Sequence, residues 1–419
     1  MPEAKDLLRQ LADAAIHAAD PASRVPPILP PAPPKAIVLG AGKASAAMAK
    51  SIENAWPDTD LSGLVVTRYG YEVDCERIEI VLAAHPVPDD AGREAARRIL
   101  EMADSAGEGD LVIALMSGGG SALLTAPADG ITFEEKQEVN RQLLRSGADI
   151  GEMNTLRKHI SAIKGGRLAA AAHPAKVLSI LISDVPGDDP AVIGSGPTVP
   201  DPTTFADALA VVAKYNMKLP DSVRRHLDAG TDETPKPGSA IFDGNDLVFA
   251  AKPDKSIEAA AAVARAAGFT VVDLGDRVEG EARDVGREHA ELAMQCKNGT
   301  GPAKAPCVIL SGGETTVTMT GNGRGGRNTE YLLGVAERLG GADGIYAVAC
   351  DTDGVDGSED NAGAFIDPTT VARAEAAGLS VAQALEANDA YTLFDNIDDL
   401  LVTGPTYTNV NDFRAVLVT

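Results

Sequence analysis

Short apolar runs alternate with longer amphipathic stretches along almost the whole chain. The apolar runs predict β-strands at 35–40, 63–68, 110–116, 176–183, 247–251, 269–274, 306–311 and 344–350. Apolar residues recur at helical spacing in the stretches 88–105, 132–148, 203–216, 254–268 and 279–296. This alternation is typical of βαβ units, in which helices cover a parallel sheet. We therefore expect an α/β protein.

The length of the chain predicts two domains. It has 419 residues, which is more than one ordinary hydrophobic core holds. The stretch 229–240 contains two prolines and no periodicity, so it is the best candidate for a linker. We predict an N-terminal domain over residues 1–230 and a C-terminal domain over residues 241–419.

Composition narrows the class of function. A formal net charge of −24 disfavours nucleic acid and anionic membranes as partners, and no apolar run approaches the roughly 18 residues of a membrane span. The polar, acidic start of the chain is unlike a signal peptide. The four cysteines and six histidines form neither a Cys-x-x-Cys motif nor a ligand pair, so we expect no structural zinc and no disulfide framework. A cytoplasmic protein fits these features.

The first of three glycine-rich loops, GAGKAS, follows the predicted strand 35–40. It is similar to a dinucleotide-binding turn, but the next strand ends in Thr67-Arg68 rather than in an acidic residue. It also departs from a P-loop, because Ala44 stands where Ser or Thr would bind magnesium. A lysine in such a turn suits a phosphate contact, so we predict that Lys43 binds phosphate. The alternative is a tight turn with a solvated lysine.

Two further loops combine glycine with potential anion-binding groups. Residues 117–121, SGGGS, follow a predicted strand, and three consecutive glycines can form a nest of N–H groups for anionic oxygens. A flexible turn is the alternative. Residues 311–330, SGGETTVTMTGNGRGGRNTE, place Arg327 at a helix start, where a guanidinium can bind phosphate, whereas Arg324 is more naturally a surface residue. The predicted nucleotide- or phosphate-binding residues are Gly40, Gly42, Ser45, Ser117, Gly118, Gly119, Gly120, Ser121, Gly312, Gly313, Gly325 and Gly326.

Charged segments supply the remaining candidates. On a helix, the basic run 157–167 would place Arg157, Ser161 and Lys164 on one face, which suits a carboxylate or phosphate; a solvated charged face is the alternative. Acidic runs at 184–189 and 351–356 follow strands, where ligands bind in α/β proteins, although aspartates also cap turns. The predicted substrate-binding residues are Arg157, Lys164, Arg167, Asp184, Asp189, Glu314 and Asn328, and the predicted metal ligands are Asp351 and Asp353.

Eight motifs in order along the chain carry a family resemblance. They are GAGKAS, SGGGSALL, RKHISAIKGGRLA, SDVPGDDPAVIGSGPTVPD, LSGGETTVT, GRGGRNTE, DTDGVDG and TGPTYTNVNDF. Together they resemble the bacterial glycerate 2-kinases that contain a MOFRL domain, many of which carry a hydroxypyruvate reductase label. The match runs from about residue 5 to about residue 415. Thr329 stands where the family pattern has glutamine, and Tyr407 stands where it has glycine.

The resemblance implies ATP-dependent phosphorylation of D-glycerate to 2-phosphoglycerate, with Mg²⁺ as cofactor and with D-glycerate and ATP as small-molecule partners. It implies two three-layer α/β/α domains that enclose an active cleft. The N-terminal domain is expected to be Rossmann-like with a mainly parallel sheet, and the C-terminal, MOFRL-type domain is expected to have a mixed sheet. Lys43 and Arg327 receive catalytic roles, and a homodimer is compatible with the sequence.

Two other functions stay open on the sequence. A hydroxypyruvate reductase that uses NAD(P)H would need an acidic residue for the ribose, which is absent, although Arg68 could meet a 2′-phosphate and His159 could donate a proton. The second alternative is a protein that binds a nucleotide or sugar acid without catalysis, which the presence of Lys43 and Arg327 disfavours.

Overall fold

The computed structural model describes residues 2–419. The strands are β1 (Lys35–Ala41), β2 (Asp60–Arg68), β3 (Glu79–Ala83), β4 (Leu111–Met116), β5 (Lys176–Ile182), β6 (Asp246–Ala251), β7 (Thr270–Asp273), β8 (Gly280–Glu281), β9 (Cys307–Gly313), β10 (Thr315–Thr316), β11 (Ile345–Asp351), β12 (Gly363–Ile366), β13 (Leu400–Leu401) and β14 (Asp412–Val418). The helices are α1 (Pro2–His17), α2 (Pro21–Arg24), α3 (Ser45–Ala55), α4 (Asp90–Asp104), α5 (Gly120–Leu123), α6 (Phe133–Ser146), α7 (Ile150–His159), α8 (Arg167–Ala172), α9 (Phe205–Lys214), α10 (Asp221–Ala229), α11 (Pro253–Ala266), α12 (Ala282–Lys297), α13 (Arg327–Leu339), α14 (Thr370–Ala376), α15 (Val381–Ala387) and α16 (Ala390–Asn396). Every strand and helix predicted from the hydrophobic pattern is present, with ends that shift by a few residues.

The chain folds into two compact units. One contains residues 21–250, and the other combines residues 2–20 with residues 251–419. Each unit has its own six-stranded sheet, so the predicted α/β class is confirmed. Among residues 2–419, no helix has the length and apolar character that a membrane span requires.

The division of the chain differs from the sequence expectation at both ends of the first unit. The stretch 229–240 packs within that unit, where Thr234 is buried and its hydroxyl donates to Asp201. Strand β6, which follows this stretch, extends the first sheet. Helix α1 belongs to the other unit. Leu8 and Leu11, on the apolar face of this helix, are part of the hydrophobic core of that unit.

The sheet of the unit formed by residues 21–250 has the order β3-β2-β1-β4-β5-β6. The pairs β1–β2, β1–β4, β2–β3 and β4–β5 are all parallel. Apolar residues such as Leu39, Val66 and Ala114 are buried under the covering helices. This is the strand order of the Rossmann fold. The chain adds β2 and β3 on one side of β1 and then returns to add β4, β5 and β6 on the other side. Ligands are therefore expected beyond the carboxyl ends of β1 and β4.

The sheet of the other unit has the order β13-β12-β11-β14-β9-β7 and is mixed, as predicted. Strands β7 and β9 are parallel, whereas β14 runs antiparallel to both of its neighbours. Strand β14 was not predicted, although all seven of its residues are buried. Two of the first three residues of its sequence, DFRAVLV, are charged. A search for apolar runs therefore does not identify it as a buried strand.

Candidate functional site

The turns after β1 and β4 are joined by hydrogen bonds where the strand order reverses. The N–H of Lys43 donates to the carbonyl of Gly118 at 2.9 Å, and the N–H of Ala44 donates to Ser117 Oγ at 3.0 Å. Ser117 Oγ also lies 3.3 Å from Ser45 Oγ. Both serines are buried, so their hydroxyls hold the two turns together, and Lys43 lies half-buried beside them. The structure thus brings Lys43 and the SGGGS turn together where a ligand is expected.

Three of the predicted glycines are required by the close approach of these turns. A Cβ on Gly40 would lie 2.3 Å from the carbonyl oxygen of Leu115, and one on Gly42 would lie 2.1 Å from Ser117 Oγ. A Cβ on Gly120 would lie 2.9 Å from the carbonyl oxygen at the end of β1. Contacts within the protein therefore account for these glycines, and their role in phosphate binding stays a prediction.

His85 was not predicted, yet it lies against the same turn. It follows β3 by two residues, and the edge of its imidazole faces Gly119. A Cβ on Gly119 would lie 3.0 Å from Cδ2 and 3.1 Å from Nε2 of His85. The φ of Gly119 is +81°, which glycine adopts without strain. The available signal was a histidine shortly after a strand in an α/β pattern.

Lys164 is buried, and its amino group contacts oxygens of neutral groups. Nζ lies 2.7 Å from the carbonyl oxygen of Ser121, 3.0 Å from Ser121 Oγ and 3.4 Å from the carbonyl oxygen of Gly194. Burial, followed by the charges of Lys136 and Arg157, lowers the pKa of Lys164 well below its usual value. Burial also lowers the pKa of Lys136, to about 7, and its Nζ donates to two backbone carbonyls. The charges of Lys136 and Arg157 therefore both act on Lys164 in a poorly solvated region.

The other predicted substrate-binding residues of this unit are placed as follows. Arg157 Nε donates to an asparagine side chain at 2.9 Å, and Arg167 pairs with the exposed Asp232 at 2.5 Å. Asp189 is exposed and accepts from a backbone N–H two residues later, which is the contact of a turn cap. Asp184 follows β5 and is half-buried at the carboxyl edge of the sheet. Substrate binding by these residues stays a prediction.

The basic run 157–167 does not form one helix, so the prediction that Arg157, Ser161 and Lys164 share a helical face is wrong. Helix α7 ends at His159, and α8 begins only at the last residue of the run. The two glycines directly before α8 have φ values of +59° and +84°, which a right-handed helix does not accommodate. The chain turns between Arg157 and Lys164, and the charge of Arg157 acts on Lys164 without a shared helical face.

In the unit with the mixed sheet, Arg327 binds three carboxylates, one through each guanidinium nitrogen. Nε donates to Asp412 Oδ1 at 2.7 Å, Nη1 to Glu314 Oε1 at 2.7 Å and Nη2 to Asp351 Oδ2 at 2.9 Å. Burial opposes the charged form, but the three carboxylates outweigh it and raise the pKa of Arg327 well above its usual value. The side chain of Glu314 is 48% exposed, whereas Asp412 is fully buried. Glu314 is therefore the partner that an incoming anion would displace most easily.

Strand β14 supplies two site residues that were not predicted from the sequence, Asp412 and Arg414. Asp412 Oδ1 accepts from Arg327 and from Asn328 Nδ2, the latter at 2.8 Å, and Oδ2 accepts from Arg414. Arg414 and Asn328, a predicted substrate-binding residue, are both fully buried, and their hydrogen bonds hold the orientation of the Asp412 carboxylate. The available signal was a pair of opposite charges two residues apart, which a strand places on one face.

Asp356 occupies the amino end of helix α13. Its buried carboxylate accepts from the N–H groups of Asn328 and Thr329, both at 2.9 Å, and from Thr329 Oγ1 at 2.8 Å. A Cβ on Gly326 would lie 2.4 Å from this carboxylate, so the glycine permits its approach. The carboxylate takes the position that an anionic ligand would take at a helix N-terminus. Phosphate binding by Gly325 and Gly326 stays a prediction.

We expect Asp356→Asn to lower the free energy of unfolding by about 2 kcal/mol, because an amide would replace a carboxylate that accepts from four buried donors. Urea unfolding at pH 7 measures the change. Asp360→Asn, in the same loop but exposed, should change the free energy by less than about 0.5 kcal/mol. Equal effects of the two substitutions would contradict the capping role.

The other glycines of the segment 311–330 also meet the backbone of the protein. A Cβ on Gly321 would lie 2.1 Å from a carbonyl oxygen, and one on Gly313 would lie 2.4 Å from a backbone nitrogen. Gly312, beside Gly313 in β9, accepts from Arg414 Nη1 through its carbonyl at 3.4 Å. Close packing of the chain on itself therefore explains much of the glycine density that suggested an anion site.

The carboxylates around Arg327 do not converge on a metal position. Within residues 2–419, no group of three or more His, Cys, Asp or Glu side chains is arranged to hold a metal ion. Asp351 Oδ2 accepts from Arg327, and Asp351 Oδ1 accepts from the N–H of Asp353 at 3.0 Å. Asp353 Oδ1 accepts from the N–H of Val355 at 2.8 Å. A metal site made by side chains of residues 2–419 alone is not preformed, and the metal role of Asp351 and Asp353 stays a prediction.

Tyr407 has a backbone conformation that favours glycine, with a φ of +58°. For a bulky residue this conformation costs about 1 kcal/mol. We expect Tyr407→Gly to raise the free energy of unfolding by about 0.5 kcal/mol, because the greater freedom of glycine in the unfolded chain offsets part of the gain. Tyr407→Ala keeps the strain and should not stabilise. Chemical unfolding of the two variants tests this, and a Tyr407→Gly protein less stable than Tyr407→Ala would contradict it.

Comparisons with known proteins cover both units. Residues 7–228 match the family described as a domain of unknown function, DUF4147, and residues 307–412 match the MOFRL family. A protein of Agrobacterium vitis named "Putative hydroxypyruvate reductase" is 53% identical, over 99% of this chain and 94% of its own length. The D-glycerate 2-kinase of Thermotoga maritima is 40% identical, over 92% of this chain and 91% of its own length. A crystal structure of glycerate kinase from Thermotoga maritima matches with a TM-score of 0.90 and 38% identity, covering 100% of both chains.

Proposed function

We propose that this chain, which belongs to the family of proteins that join a DUF4147 domain to a MOFRL domain, is an ATP-dependent kinase that phosphorylates D-glycerate to 2-phosphoglycerate. The observation that carries the proposal is similarity over nearly the whole chain to a D-glycerate 2-kinase and to the crystal structure of a glycerate kinase. The strand order supports it, because Lys43 and the SGGGS turn lie where a Rossmann-type sheet binds ligands.

Phosphoryl transfer depends on the positioning of the reactants and on positive charge around the transferring group. In this proposal, Lys43 supplies positive charge from the turn after β1, and Arg327, at the start of α13, is the second catalytic residue. The buried carboxylates fix the plane of the Arg327 guanidinium, and the anionic ligand takes the place of the exposed Glu314. The developing charge of the transition state then meets groups that are already oriented.

We expect Mg²⁺ to bind together with the nucleotide. Phosphate oxygens and water supply most ligands of a nucleotide-bound Mg²⁺, so one or two protein carboxylates suffice, and Asp351 and Asp353 are the candidates. When bound, the ion neutralises charge on the phosphates. We expect excess EDTA to abolish ADP release and added Mg²⁺ or Mn²⁺ to restore it. Full activity in EDTA would contradict the requirement, and unaltered Mg²⁺ dependence in Asp353→Asn would contradict only the assignment of that residue.

The name of the Agrobacterium vitis relative raises a second activity, the reduction of hydroxypyruvate with NAD(P)H. Strand β2 ends in Arg68, without the acidic residue that would bind a ribose. His159, the proton donor that this alternative requires, is fully buried. Its Nδ1 lies 2.7 Å from the carbonyl oxygen of Thr155, and its Nε2 lies 2.9 Å from Glu233 Oε1. These contacts favour the kinase over the reductase.

A pair of assays separates the candidate activities. ADP release is followed with ATP, Mg²⁺ and D-glycerate or L-glycerate, and nicotinamide absorbance is followed with hydroxypyruvate and NADH or NADPH. We expect ADP release that depends on D-glycerate and no oxidation of the nicotinamide. Sustained oxidation without ATP would contradict the kinase. Tight binding of ATP and glycerate without ADP release would instead indicate a binding protein.

A further inference from the structure

A chain of four polar side chains runs through the interior beside the SGGGS turn. Lys164 Nζ lies 3.0 Å from Ser121 Oγ, which lies 2.8 Å from Ser195 Oγ, and Ser195 Oγ lies 3.0 Å from the Asn154 side chain. Lys164, Ser195 and Asn154 are each at most 3% exposed, whereas Ser121 is half-buried at the carboxyl end of the sheet. Of these four side chains, Ser121 is therefore the one that a ligand can contact.

The surroundings of Lys164 accommodate a neutral amine. A neutral amino group offers two N–H donors and one lone pair, and an ammonium offers three donors. Two carbonyl oxygens, from Ser121 and Gly194, take two donors, so the third direction faces Ser121 Oγ. That hydroxyl can donate to a lone pair as readily as it can accept. Burial beside the cations Lys136 and Arg157 disfavours an added charge, and it lowers the pKa of Lys164 accordingly.

The far end of this series of hydrogen bonds accommodates the same protonation state. If each hydroxyl donated in the direction away from Lys164, Ser195 would donate to Asn154 Oδ1. The buried Asn154 Nδ2 would then have no acceptor. An unpaired buried donor costs on the order of 1–3 kcal/mol. With the protons pointing toward Lys164, the Asn154 amide turns over and Nδ2 donates to Ser195, Ser195 to Ser121, and Ser121 to the amine. Both hydroxyl hydrogens, both amine hydrogens and one amide hydrogen of Asn154 then have acceptors, and Asn154 Oδ1 takes the position without a partner.

The backbone at Ser195 also indicates a functional site. Ser195 has a φ of +63° between two glycines that share this conformation, and it is fully buried. Such a conformation costs a residue other than glycine on the order of 1 kcal/mol and persists where the surroundings hold it in place. The strain positions the Ser195 hydroxyl between Ser121 and Asn154.

We propose that Ser121 and Lys164 form a proton-accepting relay for the phosphoryl transfer proposed above, on which this inference rests. The 2-hydroxyl oxygen of the acceptor forms a bond to the γ-phosphorus, and the bond from that phosphorus to the oxygen bridging to the β-phosphate breaks, releasing ADP. The hydroxyl proton passes to Ser121 Oγ while the proton of Ser121 passes to Lys164 Nζ. The resulting ammonium returns its proton to water after the products leave. Ser121 touches the substrate, and Lys164 acts through it.

Kinetics as a function of pH test the relay. With ATP and D-glycerate, kcat of the wild-type protein should fall at acidic pH, because a protonated Lys164 accepts no proton. Ser121→Ala should lower kcat by on the order of 100-fold, with KM within about threefold, and should remove the acidic fall. Ser121→Thr keeps the hydroxyl and should recover activity to within about tenfold of wild type. A Ser121→Ala protein with kcat within about threefold of wild type and the same acidic fall would overturn the relay.

Lys136→Met is the matched control, because Lys136 is a second buried lysine that donates only to backbone carbonyls. In the acidic range, Lys136 carries a charge that opposes protonation of Lys164. Its removal should therefore shift the acidic fall of kcat to higher pH without abolishing turnover. A purely structural role of Lys164 predicts no such shift, and its absence would count against the relay.

Unfolding experiments test the charge of Lys164 without any substrate. A folded state that keeps Lys164 neutral binds fewer protons than the unfolded state, so stability rises with pH up to the usual lysine pKa. The free energy of unfolding of wild type minus that of Lys164→Met should therefore increase between pH 6 and pH 9. A constant difference overturns the relay even if ADP is released. A rising difference in a protein that releases no ADP with any hydroxy acid overturns the proposed function instead, while Lys164 remains neutral.

Discussion

Replacement of Lys43 by methionine should lower kcat by on the order of 100-fold or more, while KM for ATP and D-glycerate stays within about threefold. The proposed role of Lys43, which lies at the turn after β1 beside the SGGGS turn, is to stabilise charge that develops on the transferring group more in the transition state than in the ground state. Methionine keeps most of the apolar part of the side chain and removes the ammonium group with its charge and its donors. Steady-state kinetics on the folded variant measures the change.

Lys35→Met provides the matched control for Lys43. Lys35 lies at the opposite end of β1 and forms an exposed pair with Asp110 at 3.1 Å. Exposed pairs contribute little, so this variant should keep kcat within about threefold of wild type. If Lys43→Met behaved like Lys35→Met, Lys43 would be a solvated turn residue without a catalytic role.

Arg327→Lys should be as damaging as Lys43→Met, with a loss in kcat on the order of 100-fold. A lysine ammonium cannot match three carboxylates that approach the guanidinium nitrogens from three directions. The substitution should also lower the free energy of unfolding by about 3 kcal/mol, because it leaves the buried Asp412 with a poorer partner. Kinetics and urea unfolding on the same preparation separate the two effects.

Arg324→Lys is the control from the same segment. Arg324 is exposed, pairs with Glu359 and stacks 4.3 Å above the Tyr391 ring. Lysine retains the charge at the surface, so both kcat and the free energy of unfolding should change little, with kcat within about threefold of wild type. Similar losses for Arg324→Lys and Arg327→Lys would contradict the distinct role of Arg327.

Hydrophobic periodicity predicted most of the fold because it is a local property of the chain. The strands β1, β4 and β9 are apolar runs bounded by turn residues, and their helices have clear spacing. Strand β14 escaped because Asp412 and Arg414 interrupt its apolar pattern, and only the fold shows that the two charges neutralise each other. The mixed sheet itself followed from the family resemblance, since periodicity does not specify strand direction.

The partners of site residues were not predictable from spacing. Arg327 meets Glu314, Asp351 and Asp412, which lie 13, 24 and 85 residues away along the chain. Glycine density was also ambiguous, since a glycine permits the approach of a ligand or of protein backbone equally well. At Gly42 and Gly326, the approaching atoms belong to Ser117 and Asp356. A sequence identifies such positions without identifying what approaches them.

The identity of the product decides whether this chain transfers phosphate to the 2-hydroxyl of D-glycerate. Purified protein is incubated with ATP, Mg²⁺ and D-glycerate, and the products are resolved by ³¹P and ¹H NMR without coupling enzymes. Transfer to the 2-hydroxyl predicts equal amounts of ADP and 2-phosphoglycerate, with the phosphorus coupled to the single proton on carbon 2. A phosphorus signal coupled to the two protons of carbon 3, or the absence of any phosphorylated glycerate while hydroxypyruvate is reduced by NADH, would contradict the account.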